Sequence, residues 1–415
     1  MTLFTIAPST VRSLSKSVSR HGVTLTALAR AAAKRFGDRT AYIAPSLSDS
    51  DAARQGDSDN RPVHWSYKEL WNRAEALALG IYLGKLAGPK QLIVVAAEGA
   101  ALPISIIAAG RLGLDCMPLN PRAYMPEDLI GIVPSTALVI YDGEKPQWHH
   151  GPSLSAKEVF DISHCEGSGL GRSARRGRLI LLTSAMTGTP TPHVRRTLSV
   201  KSLMQLAGLH RSIGIAVSDT VIGFTPLHHG HGLQLFAASL LTGATLISAP
   251  HLSAEDRLSL MRSAGATVAS GLPQQFEKLV EHLERTGESA PPLRRIVCGS
   301  ESLSTELAGR VENAWGKVIV NCYGTAETGT VAVAVPELLA KFPGTVGVPL
   351  PGVDVGIVGN RGRADGEGRI WIRALGTSVI TDDRGRWEDG RLYITGHYND
   401  AGTVLDRPET LHTNS

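Results

Sequence analysis

The sequence predicts an α/β fold: two layers of alternating helix and strand, followed by a small β-rich subdomain. Three observations predict it. Between residues 91 and 320, short apolar and β-branched runs alternate with stretches whose apolar residues recur at three- and four-residue spacing. After Pro343 the texture changes to short strands, glycines and turns. The chain's 415 residues, 42% hydrophobic and 19% charged, suit an ordinary folded protein with two or three structural units.

The elements follow in order. Leu25 to Phe36 (LTALARAAAKRF) forms an amphipathic helix, and residues 46–61, polar with few apolar side chains, form an exposed loop. Trp65 to Tyr82 reads as a helix on its apolar spacing, with Ser66 as candidate N-cap. A buried strand at 91–97, a helix at 100–112 and a strand entry at 115–119 make a β-α-β unit, which a strand at 137–141 continues. The Gly-, Ser- and Arg-rich loop 164–178 then leads into a strand at 179–183. Helices at 200–213, 232–241, 254–264, 273–285 and 304–314 alternate with strands at 220–225, 245–248, 267–270, 294–298 and 317–320. Residues 353–358, 369–373 and 391–394 are the short strands of the last part, and no solenoid repeat is seen.

Composition excludes several classes. A formal charge of +4 over this length is mild and does not point to nucleic acid, whose partners concentrate positive charge on one face. Cys116, Cys165, Cys298 and Cys322 lie far apart with no CxxC, so they read as reduced thiols of a cytoplasmic protein. The longest apolar stretch, Leu92 to Leu114, is interrupted by Glu98, Pro103 and Arg111; it is a buried strand and helix, not a transmembrane span. Residues 1–37 contain no acid, a composition shared with transit peptides. Because Leu25–Phe36 already belongs to the fold, residues 1–21 are read as a short basic extension.

The candidate chemistry lies in four segments, each at the C-terminal end of a predicted strand, where open α/β sheets place their ligands. The first is a loop of hydroxyl residues, Gly188 and two prolines, Thr183 to Pro192, suited to presenting N–H and O–H groups to phosphate oxygens. The others are Pro226-Leu-His-His-Gly-His-Gly-Leu233, Gly299-Ser-Glu-Ser-Leu303 and Asn321-Cys-Tyr-Gly-Thr-Ala-Glu-Thr328. Gly344–Gly352 and Leu392-Tyr-Ile-Thr-Gly-His397 follow. A GxxxxGK[ST] phosphate loop is absent. His228, His229 and His231 admit three readings: a metal cluster, lining of a substrate site, or structure. Arg172, Arg175, Arg176 and Arg178 are a solvated loop or, as a second reading, phosphate partners.

Taken in order, the six segments resemble the adenylate-forming superfamily, the AMP-binding acyl-CoA synthetases and their relatives, over about residues 22–407. The resemblance implies two layered α/β subdomains with mixed, mostly parallel sheets and a small distorted β-barrel-like subdomain at about 343–397, all within an adenylation domain spanning 22–405. It implies that Thr183, Ser184, Thr187, Gly188 and Thr189 hold the ATP phosphates, and that Gly299, Ser300 and Glu301 line the adenine. Tyr323 stacks on the base, with Gly324 and Thr325 along the same wall. His229 lies near the acyl group and Glu327 is the Mg²⁺ carboxylate; these two are the candidate catalytic residues. His397 stands where the family has the ribose aspartate, and Arg407 resembles the hinge arginine that also reaches the ribose.

The expected function is ATP-dependent activation of a carboxylic acid, a fatty acid for choice, to an acyl-adenylate. Ala326 matches fatty-acid-activating branches, and Gly230 and Gly232 leave room for an acyl chain. The chain departs from the pattern at Ala185 (glycine in the family), Met186 (a hydroxyl residue) and Thr191 (lysine). Residues 406–415 read as a hinge remnant without the family's C-terminal domain, which carries a second lysine and the face for the thiol step. Transfer to coenzyme A or an acyl carrier protein therefore calls for that domain as a partner. The alternative is a weak or inactive homologue that binds nucleotide or acyl ligand, or receives the C-terminal domain in trans.

Overall fold

The computed structural model describes residues 24–44, 63–88, 91–120, 123–165, 169–171, 173, 175–182, 190–194, 200–358, 366–398 and 404–406. The expected phosphate-loop residues Thr183, Ser184, Thr187, Gly188 and Thr189, the hinge Arg407 and the extension 1–21 lie outside them. Two compact units form. One comprises residues 1–197, 216–218 and 226–251; the other comprises 198–215, 219–225 and 252–415.

The first unit opens with the helix Leu25–Phe36, capped by Thr24, whose side chain accepts the Ala27 N–H at 3.1 Å. Strands β1 (Thr40–Ala44) and β2 (Val63–Ser66) pair antiparallel. Trp65, expected in a helix, belongs to β2. The helix starts at Tyr67, because Ser66 and Glu69 close a capping box that sets the boundary. Sequence spacing had sensed the helix, but alternation over four residues is too short to announce a strand.

Strands β3 (Leu92–Ala96), β4 (Asp115–Pro118), β5 (Leu138–Tyr141) and β6 (Ser153–Ser155) form a parallel sheet in the order β4-β3-β5-β6. Ile93, Val94, Val95, Leu138, Val139 and Ile140 are fully buried, as expected of strands covered on both faces. The short helices Pro126–Ile132 and Ala156–Ser163 were not anticipated. The second carries a Ser155–Glu158 capping box, a signal present in the sequence. Strands β7 (Ile180–Leu182) and β8 (Pro192–Val194) pair antiparallel with Leu182 opposite Pro192.

In the second unit the helix Val200–Ile213 precedes β9 (Thr220–Gly223). The first unit resumes with the helix Gly230–Thr242 and β10 (Thr245–Ser248), parallel to β1. The rest belongs to the second unit: β11 (Val268–Gly271), β12 (Arg295–Gly299) and β13 (Ile319–Thr325), joined by the helices Pro273–Thr286 and Thr305–Trp315. β9, β11, β12 and β13 run parallel in that order. Then the sheet turns antiparallel through β14 (Gly329–Ala334) and β15 (Thr345–Pro349).

The β-rich part comprises β16 (Asp354–Ile357), β17 (Gly366–Ala374), β18 (Thr377–Glu388), β19 (Arg391–Tyr398) and β20 (Val404–Asp406). It joins the sheet by the β15–β19 pairing and closes over the buried Trp387, Ile370 and Leu392. β18 went unforeseen because its sequence, TSVITDDRGRWE, is polar and alternates only in parts. Among the described residues no helix is long and apolar enough to cross a membrane.

Candidate functional site

In the second unit the ends of β12 and β13 bring together most of the expected nucleotide strip. Gly299, the last residue of β12, lies opposite Cys322 of β13. Ser300 follows at φ +67°, a left-handed backbone that L-residues adopt at a cost of about 1–2 kcal/mol. Such outliers persist where the surroundings over-determine them, and this one falls on a residue singled out from sequence. Glu301, exposed at the strand end, is held above the ordinary carboxylate range by partial desolvation.

β13 runs five residues beyond the expected strand and turns at Ala326–Thr328 into β14. Glu327 therefore sits in the tip of a tight hairpin. The register shifts between Tyr323 and Gly324, and a Cβ on Gly324 would lie 2.0 Å from the Gly329 carbonyl oxygen, so only glycine lets the two strands approach this closely. Thr325 and Thr328 share a hydroxyl–hydroxyl bond of 2.9 Å across the turn. Below it, the buried Gln205 amide donates to the carbonyls of Thr328 (3.0 Å) and Thr330 (2.7 Å). The tip carrying Glu327 is pinned from both sides. Tyr323, 9% exposed, donates its hydroxyl to Asp383 Oδ2 at 2.7 Å. His397 Nδ1 lies 3.2 Å from Asp383 Oδ1.

In the first unit His229 caps the helix Gly230–Thr242 by backbone alone; its exposed ring makes no capping bond. The His228 ring packs 4.6 Å from it and is buried, with both nitrogens lacking a hydrogen-bond partner among the described residues. Glu98, just past β3, faces His228 Nδ1 at 3.6 Å and contacts His251 with its other oxygen. Among the described residues no group of three His, Cys, Asp or Glu side chains converges to hold a metal. The arginine loop is accounted for in part: Arg175 and Arg178 both pair with Asp115 at the start of β4, at 2.8 and 2.7 Å.

Burial lowers the His228 pKa to about 4, with Glu98 opposing the shift and His229 and His251 adding to it. Below pH 6.5 the unfolded chain takes up a proton that folded His228 refuses until about pH 4. Stability is expected to be full above pH 6.5 and to fall on acidification through that window, by up to about 3 kcal/mol from this group. Urea midpoints at pH 7 and pH 4.5 measure it; a His228→Gln variant should flatten the difference, and an unchanged difference would remove His228 as its source.

Asp383, Gln205 and Glu98 escaped the sequence reading. Each is one polar residue whose partner lies far along the chain, and only the folded chain brings the two together.

A strained strip after β12 and a carboxylate-tipped hairpin after β13 thus stand at the ends of parallel strands, where α/β folds place their ligands. This chain belongs to the AMP-binding enzyme family, whose sequence pattern matches residues 172–379, half of its length. It is 30% identical to the mitochondrial malonate–CoA ligase ACSF3 of Mus musculus over 198 residues, 44% of this chain but only 33% of that ligase. It is 23% identical over 382 residues to the medium/long-chain fatty acid–acyl-carrier-protein ligase FadD10 of Mycobacterium tuberculosis, covering 83% of this chain and 69% of that one. The fold matches the N-terminal domain of FACL13 from Mycobacterium tuberculosis with a TM-score of 0.74 and 17% identity, over 90% of this chain and 99% of that one. It matches o-succinylbenzoate CoA synthetase from Bacillus subtilis, in complex with ATP and magnesium, with a TM-score of 0.73 and 15% identity, over 91% and 82%.

Proposed function

We propose that this chain activates a carboxylic acid with ATP, releasing pyrophosphate and forming an acyl-adenylate. The observation that carries the reading is the strip built by β12, β13 and the β13–β14 turn: Ser300 in a strained backbone, a buried tyrosine, and a pinned hairpin bearing Glu327. In the reaction a carboxylate oxygen of the acid bonds to the α-phosphorus while the bond to the bridging oxygen breaks and pyrophosphate leaves. Anion approaches anion, so the barrier falls through positioning and charge neutralisation.

Tyr323 and the Gly299–Glu301 strip form the wall for the base; in the other unit, the exposed His229 is the residue proposed for the acyl group. A nucleotide-borne Mg²⁺ takes one or two carboxylates plus phosphate oxygens instead of a full protein cage; the partly exposed Glu327 at the hairpin tip would supply such a carboxylate. When bound, the ion neutralises phosphate charge. A fatty acid is the substrate class favoured by the extent of the FadD10 match and by Ala326. Onward transfer to coenzyme A or a carrier thiol would use a C-terminal domain of the family type.

A second reading, nucleotide or acyl binding without turnover, is favoured by Thr191 and His397, which stand where the family carries a lysine and an aspartate. Pyrophosphate exchange separates the two. Purified chain with ATP, Mg²⁺ and a panel of acids from malonate to palmitate is expected to exchange label with one class of acid. Binding of ATP without exchange for any acid would establish the second reading.

A further inference from the structure

We infer that Asp383 holds the sugar hydroxyls of the bound nucleotide, an assignment that rests on the nucleotide reading above. Its carboxylate lies on β18 directly opposite His397 of β19, and directly opposed residues of an antiparallel pair project to the same face. The sequence led to His397 as the residue at the ribose. A His397 ring whose Nδ1 donates to the Asp383 carboxylate at 3.2 Å keeps at most one acceptor, Nε2, and cannot take both hydroxyls of a vicinal pair.

Asp383 is placed differently. Tyr323 Oη donates to Oδ2 at 2.7 Å and His397 Nδ1 donates to Oδ1, one donor on each oxygen. The carboxylate is fixed in rotation from two sides, yet its side chain remains 25% exposed. Each oxygen keeps a lone pair for a further donor. Two outward acceptor sites on one immobilised carboxylate match two vicinal hydroxyls, as on the cis-diol of a ribose. The anchoring tyrosine is the ring assigned to the base wall, so base and sugar would be gripped by one linked pair. Moving the carboxylate from β19 to β18 shifts it by one cross-strand step, about 5 Å.

The test compares ATP with 2′,3′-dideoxy-ATP, each with Mg²⁺, by calorimetric titration of the full chain. Wild type is expected to prefer ATP by about 10- to 100-fold, the range for two hydrogen bonds to a charged acceptor after desolvation. Asp383→Asn, close to isosteric, should weaken ATP binding to the dideoxy level and lose the preference. The double variant Asp383→Asn with His397→Asp should recover it, which a merely structural defect would not. His397→Ala, which removes the donor on Oδ1 but leaves the carboxylate and its Tyr323 bond, should reduce the preference without abolishing it.

If Asp383→Asn discriminates as wild type does, or His397→Ala alone abolishes discrimination, the assignment is overturned and the nucleotide reading survives. A folded wild-type chain that binds neither nucleotide overturns the nucleotide reading itself.

Discussion

Glu327→Gln is expected to lower acyl-adenylate formation about 100-fold while leaving the thermal midpoint close to that of wild type. A unit charge about 4 Å from another contributes roughly 4 kcal/mol at an effective dielectric near 20. If some 3 kcal/mol of that is specific to the transition state, the loss is on the order of 100-fold in rate. Stability should barely move, because Glu327 sits partly exposed in a turn whose geometry is held by others: the Thr325–Thr328 hydroxyls, Gly324 and the Gln205 amide. The measurement is pyrophosphate exchange against Mg²⁺ concentration, with a melt run in parallel. The variant should need more Mg²⁺ for half-maximal exchange. An unchanged Mg²⁺ dependence would show that Glu327 does not meet the ion.

That separation between chemistry and scaffold also marks what could be read from sequence. The buried strands β3, β5, β9, β11 and β12 announced themselves as short β-branched runs flanked by helix periods, since strands covered on both faces need apolar residues throughout. Gly299, Ser300, Tyr323 and Glu327 were legible for a related reason: they sit where those strands end. Sequence periodicity failed where pairing, not composition, makes the element. β14 reads as GTVAVA with no turn signal between it and β13 beyond Glu-Thr-Gly, and β18 is a polar edge-like run made a strand by two neighbours.

The polar contacts were the least legible. Asp383 is 60 residues from Tyr323 and Gln205 is 123 from Thr328, and no local pattern encodes a hydrogen bond across such a separation. The arginine loop is a milder case. Its charge invited a phosphate reading, but Asp115, which already absorbs two of its arginines, sits on β4 some sixty residues earlier.

Asp115→Ala should destabilise the first unit by about 2–4 kcal/mol, the larger part from groups left unpaired. The Asp115 side chain is 9% exposed. It accepts the Arg178 backbone N–H at 2.9 Å, the Arg178 guanidinium at 2.7 Å and the Arg175 guanidinium at 2.8 Å. The segment it holds lies hard against the start of β4: a Cβ on Gly177 would stand 2.0 Å from the Leu114 carbonyl, and Cys116 donates to the Arg178 carbonyl at 2.8 Å. Removing a well-buried ion-pair partner costs about 3–5 kcal/mol when the orphaned charge stays buried. Here Arg175 and Arg178 are 35% and 53% exposed, so they rehydrate and the charge contribution shrinks. The stranded Arg178 N–H adds about 1–3 kcal/mol.

Burial pushes the Asp115 carboxyl up, but hydrogen bonds from Arg178 and the charges of Arg175 and Arg178 outweigh it, so its pKa lies below the ordinary value. The contribution is therefore complete above pH ~4 and lost as pH falls below it. Urea denaturation at pH 7 should show the full deficit in Asp115→Ala and about 1 kcal/mol in Asp115→Asn, which keeps an acceptor for the N–H. At pH 3 the gap between wild type and Asp115→Asn should narrow. Because residues 175–178 run directly into β7, the strand that precedes the hydroxyl-rich segment of the sequence, Asp115→Ala should also weaken ATP binding more than Asp115→Asn does. Equal stability of the alanine variant and wild type would mean that the clamp holds nothing the rest of the sheet does not already hold.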